Sequence, residues 1–505
     1  MNKKLLNIIL FIVILTSFIL TPIDLNTNGL TMAKDLLIAG LSPSLHHLPQ
    51  ALEAGVITLA YAGSAVSLSI LLALYLSFYS SNILTESKYI SNAINRLYGG
   101  LRAIHELIWA LFFVTIFGLK PMSAILALTL PFVGMLGKVF TDIFTQLPTE
   151  DIKYLKTNGA SKWQILLYGY LPSALSQIIS YSIYRFECAI RSSAILSFVG
   201  IGGLGLKIQL MLGDLRFNEM FTYIYMMVFI IGIIEIWSNK NRSRSEHKPT
   251  IITGISIAFI SWLFILFYEG ALYDQLINQK NLNHAFEFVK NLLGFNTQSI
   301  AFFDLKEISE VIKLTLQTLQ MSLVSITLAS GLMFITVIAN TKRFSNPLVY
   351  KISRGLLLFT RAIPELIWAM ILVFIFKPGI WAGALALAIH NYGILTKLCA
   401  EVVESIKEQP LQSIQKSGGS NLFVLIYGVL PSVIKRFISY IIYRWEIILR
   451  TTIIVGMVGA GGLGYYFKLH FSLFHYTHIT LVIIVYLILV RIADSISKHL
   501  TSIYG

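Results

Sequence analysis

Five ionisable positions recur in this chain inside or beside strongly apolar runs, each at an offset of 259 residues. Arg102 and Glu106 match Arg361 and Glu365. Arg185, Glu187 and Arg191 match Arg444, Glu446 and Arg450. A charge in hydrocarbon is costly, so such groups are paired or face a polar cavity. Arg102 with Glu106, Glu187 with Arg191, and Glu446 with Arg450 are spaced i,i+4, which permits an ion pair within one helix. Two readings therefore stand side by side: a structural pair, or the lining of a polar pathway. No nucleophile–base–acid arrangement repeats between the halves, and no His/Cys/Asp/Glu cluster is read at metal-ligand spacing. Cys188 and Cys399 lie in apolar segments and read as packing residues. There is no G-x-x-x-x-G-K-[ST] phosphate loop, so no catalytic residue, metal or cofactor is assigned to this chain.

These residues belong to a larger repeat. Residues 102–205 and 361–464 align without a gap, and 40 of the 104 positions are identical. Both copies carry RAIxELIWA, YGxLPS, SYxIYRxE and VGxGGLG. The tracts GIGGLG at 200–205 and GAGGLG at 459–464 imitate a dinucleotide fingerprint. Neither follows a strand, so they read as flexible, close-packed turns.

The chain has 505 residues, 56% of them hydrophobic and only 13% charged, about half the charge of a soluble protein. Mean hydropathy is +0.73. The class this implies is an all-α polytopic membrane protein. Spans are read near 5–20, 51–79, 103–119, 122–140, within 165–199, and at 221–237. They recur near 251–267, 311–338, 363–376, 381–399, within 423–458, and at 479–490. The first is read as an uncleaved span, since no A-x-A site follows it. The total is about twelve, six per half. The first half is placed at 1–238, a basic cytoplasmic linker at 239–250, and the second half at 251–505. The net charge of +14 follows the loops, not a nucleic-acid surface. With the N-terminus inside, all eight basic tracts fall inside, which places both termini in the cytoplasm. An even number per half makes the repeat parallel.

Each half has a polar middle. In the first, Gly159, Ala160 and Ser161 precede Leu171 and Pro172. In the second, Gly418, Gly419 and Ser420 precede Leu430 and Pro431. Glycine permits a sharp turn, and proline restricts the start of the next helix. A short helix held at the bilayer surface is what a separate motor would push against.

This pattern resembles the coupling loop of importer-type ABC transporter permeases, and the surrounding motifs resemble phosphonate permeases. The resemblance covers nearly all of the chain. It implies two tandem parallel six-helix ABC importer permease halves, fused where family members usually have one half per chain. It further implies two cytoplasmic ATP-binding subunits that use ATP and Mg, an extracytoplasmic substrate-binding protein, and a bacterial inner (cytoplasmic) membrane around the chain. The implied substrate is a phosphonate or a related small phosphorus oxyanion. Arg191, Arg450, Arg185 and Arg444, with Glu187 and Glu446, are then the substrate-pathway candidates, because arginine can grip phosphoryl oxygens bidentately. One departure stands out. The family loop opens with Glu-Ala, and here those positions hold Lys153-Tyr154 and Gln412-Ser413. Docking is therefore expected to rest on the glycine turn and apolar contacts. The alternatives are an importer of the same architecture for phosphate or an amino acid, and an ion-coupled secondary transporter.

Overall fold

The computed structural model describes residues 12–85, 87–147, 150–196, 199–242, 248–269, 279–295, 305–416 and 423–504. Among the described residues the chain is helical, and its extended pairing is a single bridge between Leu25 and Phe376. The helices of the first copy are α1 Leu48–Ser80, α2 Lys88–Ala103, α3 Glu106–Phe117, α4 Pro121–Gln146, α5 Glu150–Thr157, α6 Leu171–Leu196, α7 Leu204–Gly213 and α8 Phe217–Arg242. Next comes α9 Lys248–Glu269. The second copy has α10 Leu305–Thr336, α11 Pro347–Ala362, α12 Glu365–Ile375, α13 Ile380–Glu404, α14 Glu408–Lys416, α15 Leu430–Val455, α16 Gly462–Ser472 and α17 Tyr476–Tyr504. Helices α2 and α11, and α6 and α15, start and stop at the same offset of 259 residues. The structural repeat is thus longer than the stretch of high identity.

The compact units do not follow the expected halves. One unit spans 42–289, and the other joins 1–41 to 290–505. Each sequence half has lent its leading segment to the other copy. In the first unit, α9 lies on α1: Trp262 Nε1 donates to Ser67 Oγ at 3.0 Å, and Tyr268 OH to Glu53 Oε1 at 3.1 Å. In the second unit, Gln320 Nε2 donates to Thr21 Oγ1 at 2.8 Å, and the Lys377 amide to the Asp24 carbonyl at 2.9 Å. The boundaries expected at 238 and 251 came from the basic tract between two apolar runs. Packing follows the small residues that let helices approach, such as Gly63 against Ser261.

Seven helices are long and apolar enough to cross a membrane, or nine if each bent pair counts as one span, among the described residues. The spans expected near 103–119 and 363–376 are not straight crossings. Helices α2 and α3 meet at 89°, and α11 and α12 at 91°. The cause is local. Ile104 and His105 take extended backbone angles, and so do Ile363 and Pro364. The residue before a proline is biased away from the helical region. Helices of 12 and 11 residues, roughly 17 Å long, fall short of a hydrocarbon core of about 30 Å. Helices α6 and α13 are not counted among the seven, yet their repeat partners α15 and α4 are. The first expected span lies partly outside the described residues.

Small side chains set the packing in both units. Helix α1 buries Ala51, Ala54, Ala62 and Ala65, and Ser69 Oγ donates across to the Thr129 carbonyl of α4 at 3.3 Å. In the second unit Ala382, Ala384 and Leu387 of α13 pack with Met321 and Val324 of α10. At the end of α15 the GAGGLG turn holds Gly459, Gly461 and Gly462 at positive φ, as Gly200, Gly202 and Gly203 are held in the first unit. This bears out the close-packed turn. A Cβ on Gly464 would sit 1.9 Å from the Ile453 carbonyl oxygen, which is backbone and cannot step aside. Gly464→Ala should therefore cost on the order of 1–3 kcal/mol or more. Gly331 on α10 has open space around it, so Gly331→Ala should be neutral or slightly stabilising. Thermal unfolding of the two variants in detergent checks this; equal melting temperatures would refute the close contact.

Candidate functional site

The bend delivers one buried glutamate to the first turn of a short helix in each unit, where the helix dipole favours negative charge. Glu106 Oε1 accepts from Ser192 Oγ of α6 at 2.6 Å, and Glu106 Oε2 lies 3.2 Å from His105 Nδ1. The same Nδ1 accepts from the Leu107 amide at 3.3 Å and so caps α3. In the second unit Glu365 Oε2 lies 3.4 Å from Nε2 of His390 on α13. His390 Nδ1 sits 2.9 Å from the Ile363 carbonyl, which fixes the ring. Arg102 and Glu106 do not share one helix, and neither do Arg361 and Glu365. Helix geometry ends between the two residues in both copies.

Both histidines escaped the sequence reading. Position 105 matches Pro364, and position 390 matches Pro131, so the repeat register hides them. The structure shows that each unit places one imidazole beside the shared glutamate from a different site in the chain. A signal existed: the swap of His for Pro runs in opposite directions at two positions that both adjoin the glutamate in space.

Helices α6 and α15 carry the other repeated charges. Arg191 Nη2 donates to Glu187 Oε1 at 3.0 Å, and Arg450 pairs with Glu446 in the same way. The structural reading of these two sets is therefore realised. Both carboxylates are buried. Arg185 donates to Tyr181 OH at 2.6 and 3.0 Å and lies over the Tyr181 and Tyr184 rings at 5.1 and 5.5 Å. Arg444 has a tyrosine at the matching position, Tyr440, yet donates to Asn391 Oδ1 on α13 at 3.1 Å. The first copy has Phe132 where Asn391 stands, so only the second unit offers that acceptor.

The polar middle of the first unit is α5, then a turn with Gly159 at φ 78°, then a new start at Ser161. Ser161 Oγ accepts from the Gln164 amide and Gln164 Oε1 from the Ser161 amide, a reciprocal cap. Residues 165–170 form a π-helical turn, and the Leu171 amide bonds to the Leu166 carbonyl. Pro172 thus does not open a separate helix. The widened turn carries the chain into α6 where proline has no amide hydrogen to give. Leu430 and Pro431 repeat this, with a π-turn at 424–429. Gly418, Gly419 and Ser420 lie outside the described residues. Tyr154, Trp163 and Tyr168 of the first segment are exposed, as are Phe423 and Tyr427 of the second.

Three histidines that the sequence reading did not group come together in the second unit. His470, His475 and His478 present ligand atoms within 4.8 Å of one another. The spacing H-x4-H-x2-H straddles a turn between two helices, so neither helix alone reveals it.

The chain belongs to the family of binding-protein-dependent transport system inner membrane components, matched over residues 5–273 and 331–502. It is therefore a multi-pass inner-membrane permease subunit, not an enzyme, and the family implies ATPase and substrate-binding partners. It is similar to the phosphate-import permease protein PhnE of Mycolicibacterium smegmatis, at 27% identity over 81% of this chain and 77% of that protein. It is also similar to the phosphite transport system permease protein PtxC of Stutzerimonas stutzeri, at 33% identity over 36% of this chain and 66% of that one. Among solved structures, inward facing conformations of the MetNI methionine ABC transporter match at 19% identity and a TM-score of 0.36, over 39% of this chain and 96% of the matched chain.

The buried Arg191–Glu187 pair sets a measurable expectation. Arg191→Gln leaves a buried carboxylate without its cation, at about 3–5 kcal/mol. Glu187→Gln with Arg191→Gln together should cost less than the sum of the single changes, because contacting sites couple. A double-mutant cycle by thermal unfolding measures this; strict additivity would remove the pair as a structural unit.

Proposed function

We propose that this chain is the membrane-spanning part of an ATP-driven ABC importer that carries a phosphonate or a related small phosphorus oxyanion into the cell. The duplicated coupling segment carries the reading. A short helix, a glycine turn, a capped restart and a π-turn form one rigid approach to a long membrane helix. A short helix and a π-turn recur at the matching place in the second copy. Each segment is the grip for one cytoplasmic ATP-binding subunit, so two such subunits serve the chain. ATP and Mg belong to those partners. The exposed Tyr154 and Trp163 supply the kind of side chains that dominate protein interfaces, and they take the place of the acidic residue absent at Lys153. The linker and both termini lie on the same cytoplasmic side as these segments.

The substrate follows from chemistry and from relatives. The relatives' names specify phosphate and phosphite, both small phosphorus oxyanions. Arginine offers five N–H donors in a planar fork whose geometry matches phosphoryl oxygens. Arg191 and Arg450 line the route in this reading, with Arg185 and Arg444 as further donors. An extracytoplasmic binding protein delivers the substrate to the outer mouth. ATP binding draws the coupling segments together, and the helices then open inward.

Reconstitution with the candidate ATPase and binding protein tests this. Phosphonate, phosphite or phosphate should stimulate ATP hydrolysis, and amino acids should not. Arg191→Lys with Arg450→Lys keeps both charges beside their glutamates but loses the forked grip. Uptake should fall at least about tenfold while the ATPase still co-purifies. Unchanged uptake would remove the arginines from the pathway, and stimulation by amino acids alone would overturn the substrate class.

A further inference from the structure

We propose that His470, His475 and His478, with Glu307, form a binding site for a divalent transition-metal ion of the zinc type, tying the start of α10 to the α16–α17 turn.

The ligand atoms of the three histidines lie within 4.8 Å of one another, and the His470 and His478 rings, now stacked at 4.4 Å, would have to rotate to meet one ion. His470 Nδ1 and His475 Nδ1 are 3.2 Å apart, and two nitrogens on a tetrahedral zinc lie about 3.3 Å apart. His478 Nε2 is 3.8 Å from Glu307 Oε1, and its Nδ1 is buried with no hydrogen-bond partner among the described residues. Tyr466 OH bonds to the other carboxylate oxygen of Glu307 and orients it, as outer partners of metal ligands do. Three imidazoles and one carboxylate are a borderline donor set that suits zinc and disfavours magnesium or calcium.

The repeat supplies an independent comparison. The turn is conserved in shape: Leu215 and Phe474 both have φ near 57° and lie 259 residues apart. At this offset His470, His475 and His478 match Met211, Arg216 and Glu219. The Leu204 amide bonds to Thr58 Oγ1 and the Leu463 amide to Thr318 Oγ1, so the register of α1 and α10 is one residue longer. Glu307 then matches His47. In the first unit His47 lies 3.4 Å from Glu219, and Arg216 lies 3.8 Å from the same carboxylate. That unit therefore closes the place with its own charges: one carboxylate, one histidine and one arginine. The second unit reverses the histidine and the carboxylate, and replaces the arginine and a methionine with imidazoles. It has exchanged a fixed cation for two more metal ligands. The same turn borders the glycine loop, whose Gly462 and Leu463 amides bond to Gln317 and Thr318 of α10. A bound ion would clamp that loop at the end of α15 opposite the coupling segment.

The full-length chain, purified without a histidine tag and stripped with chelator, is titrated with Co2+ and then Zn2+. One Co2+ per chain should produce a tetrahedral visible absorption band, and an equivalent of Zn2+ should abolish it. His470→Gln with His478→Gln should weaken Zn2+ binding at least about 100-fold, and Glu307→Gln about tenfold. Arg216→Gln, in the other unit, should change nothing. The wild-type spectrum decides the matter even where a variant does not fold: absence of a saturable tetrahedral band overturns the proposal. So does Zn2+ affinity that survives the histidine changes.

Discussion

Hydrocarbon supplies no hydrogen-bond partners and solvates no charge. Each arginine and glutamate placed in the helix bundle must therefore find its partner inside the protein. In this chain the partners are found mostly at short range. Glu187 holds Arg191 from the preceding turn, Glu446 holds Arg450, and Tyr181 holds Arg185. Where the chain bends through about a right angle, a histidine lies beside the buried glutamate, and in the first unit Ser192 bonds to it. The same constraint explains the π-turns before Pro172 and Pro431. A proline in a helix leaves a carbonyl without its donor, and a wider turn reroutes the bonding without ending the helix.

The two copies satisfy these demands with different residues. His105 and His390 reach equivalent glutamates from positions that are not equivalent. Arg444 turns to Asn391, although a tyrosine like the one that holds Arg185 is present. His47 with Glu219 and Glu307 with His478 are one contact with its charges reversed. Duplication makes two copies of the same requirement, and either partner can drift while the other compensates. An importer with two fused halves is free to specialise them, which a pair of identical subunits cannot do. The turn between α16 and α17 of the second unit can thus carry chemistry that the first lacks.

Much of the fold was legible because its determinants are local. Apolar run length reports helices that meet lipid, and a gap-free repeat reports duplicated packing whatever the packing is. The i,i+4 pairing of Glu187 with Arg191 needed only helical periodicity. The glycine turn needed only residues that tolerate positive φ. The same local logic failed at Arg102 with Glu106, since two extended residues, Ile104 and His105, put a helix end between them. It failed again at the domain boundary, since nothing in the sequence of 1–41 states which copy it will pack against.

By itself, the sequence determined the class: a helical membrane protein, duplicated, with paired ionisable residues in its spans and a short polar helix in each half. These follow from composition and from spacing along one helix. Only the tertiary structure decided which leading segment joins which unit, where the long spans break, and which histidines meet the buried glutamates. It alone gathered His470, His475 and His478, and set His478 beside Glu307. The physical reason is that such contacts are set by how helices twist and cross. Residues distant in sequence become neighbours through small-residue packing and sharp turns, and a linear spacing carries no record of that.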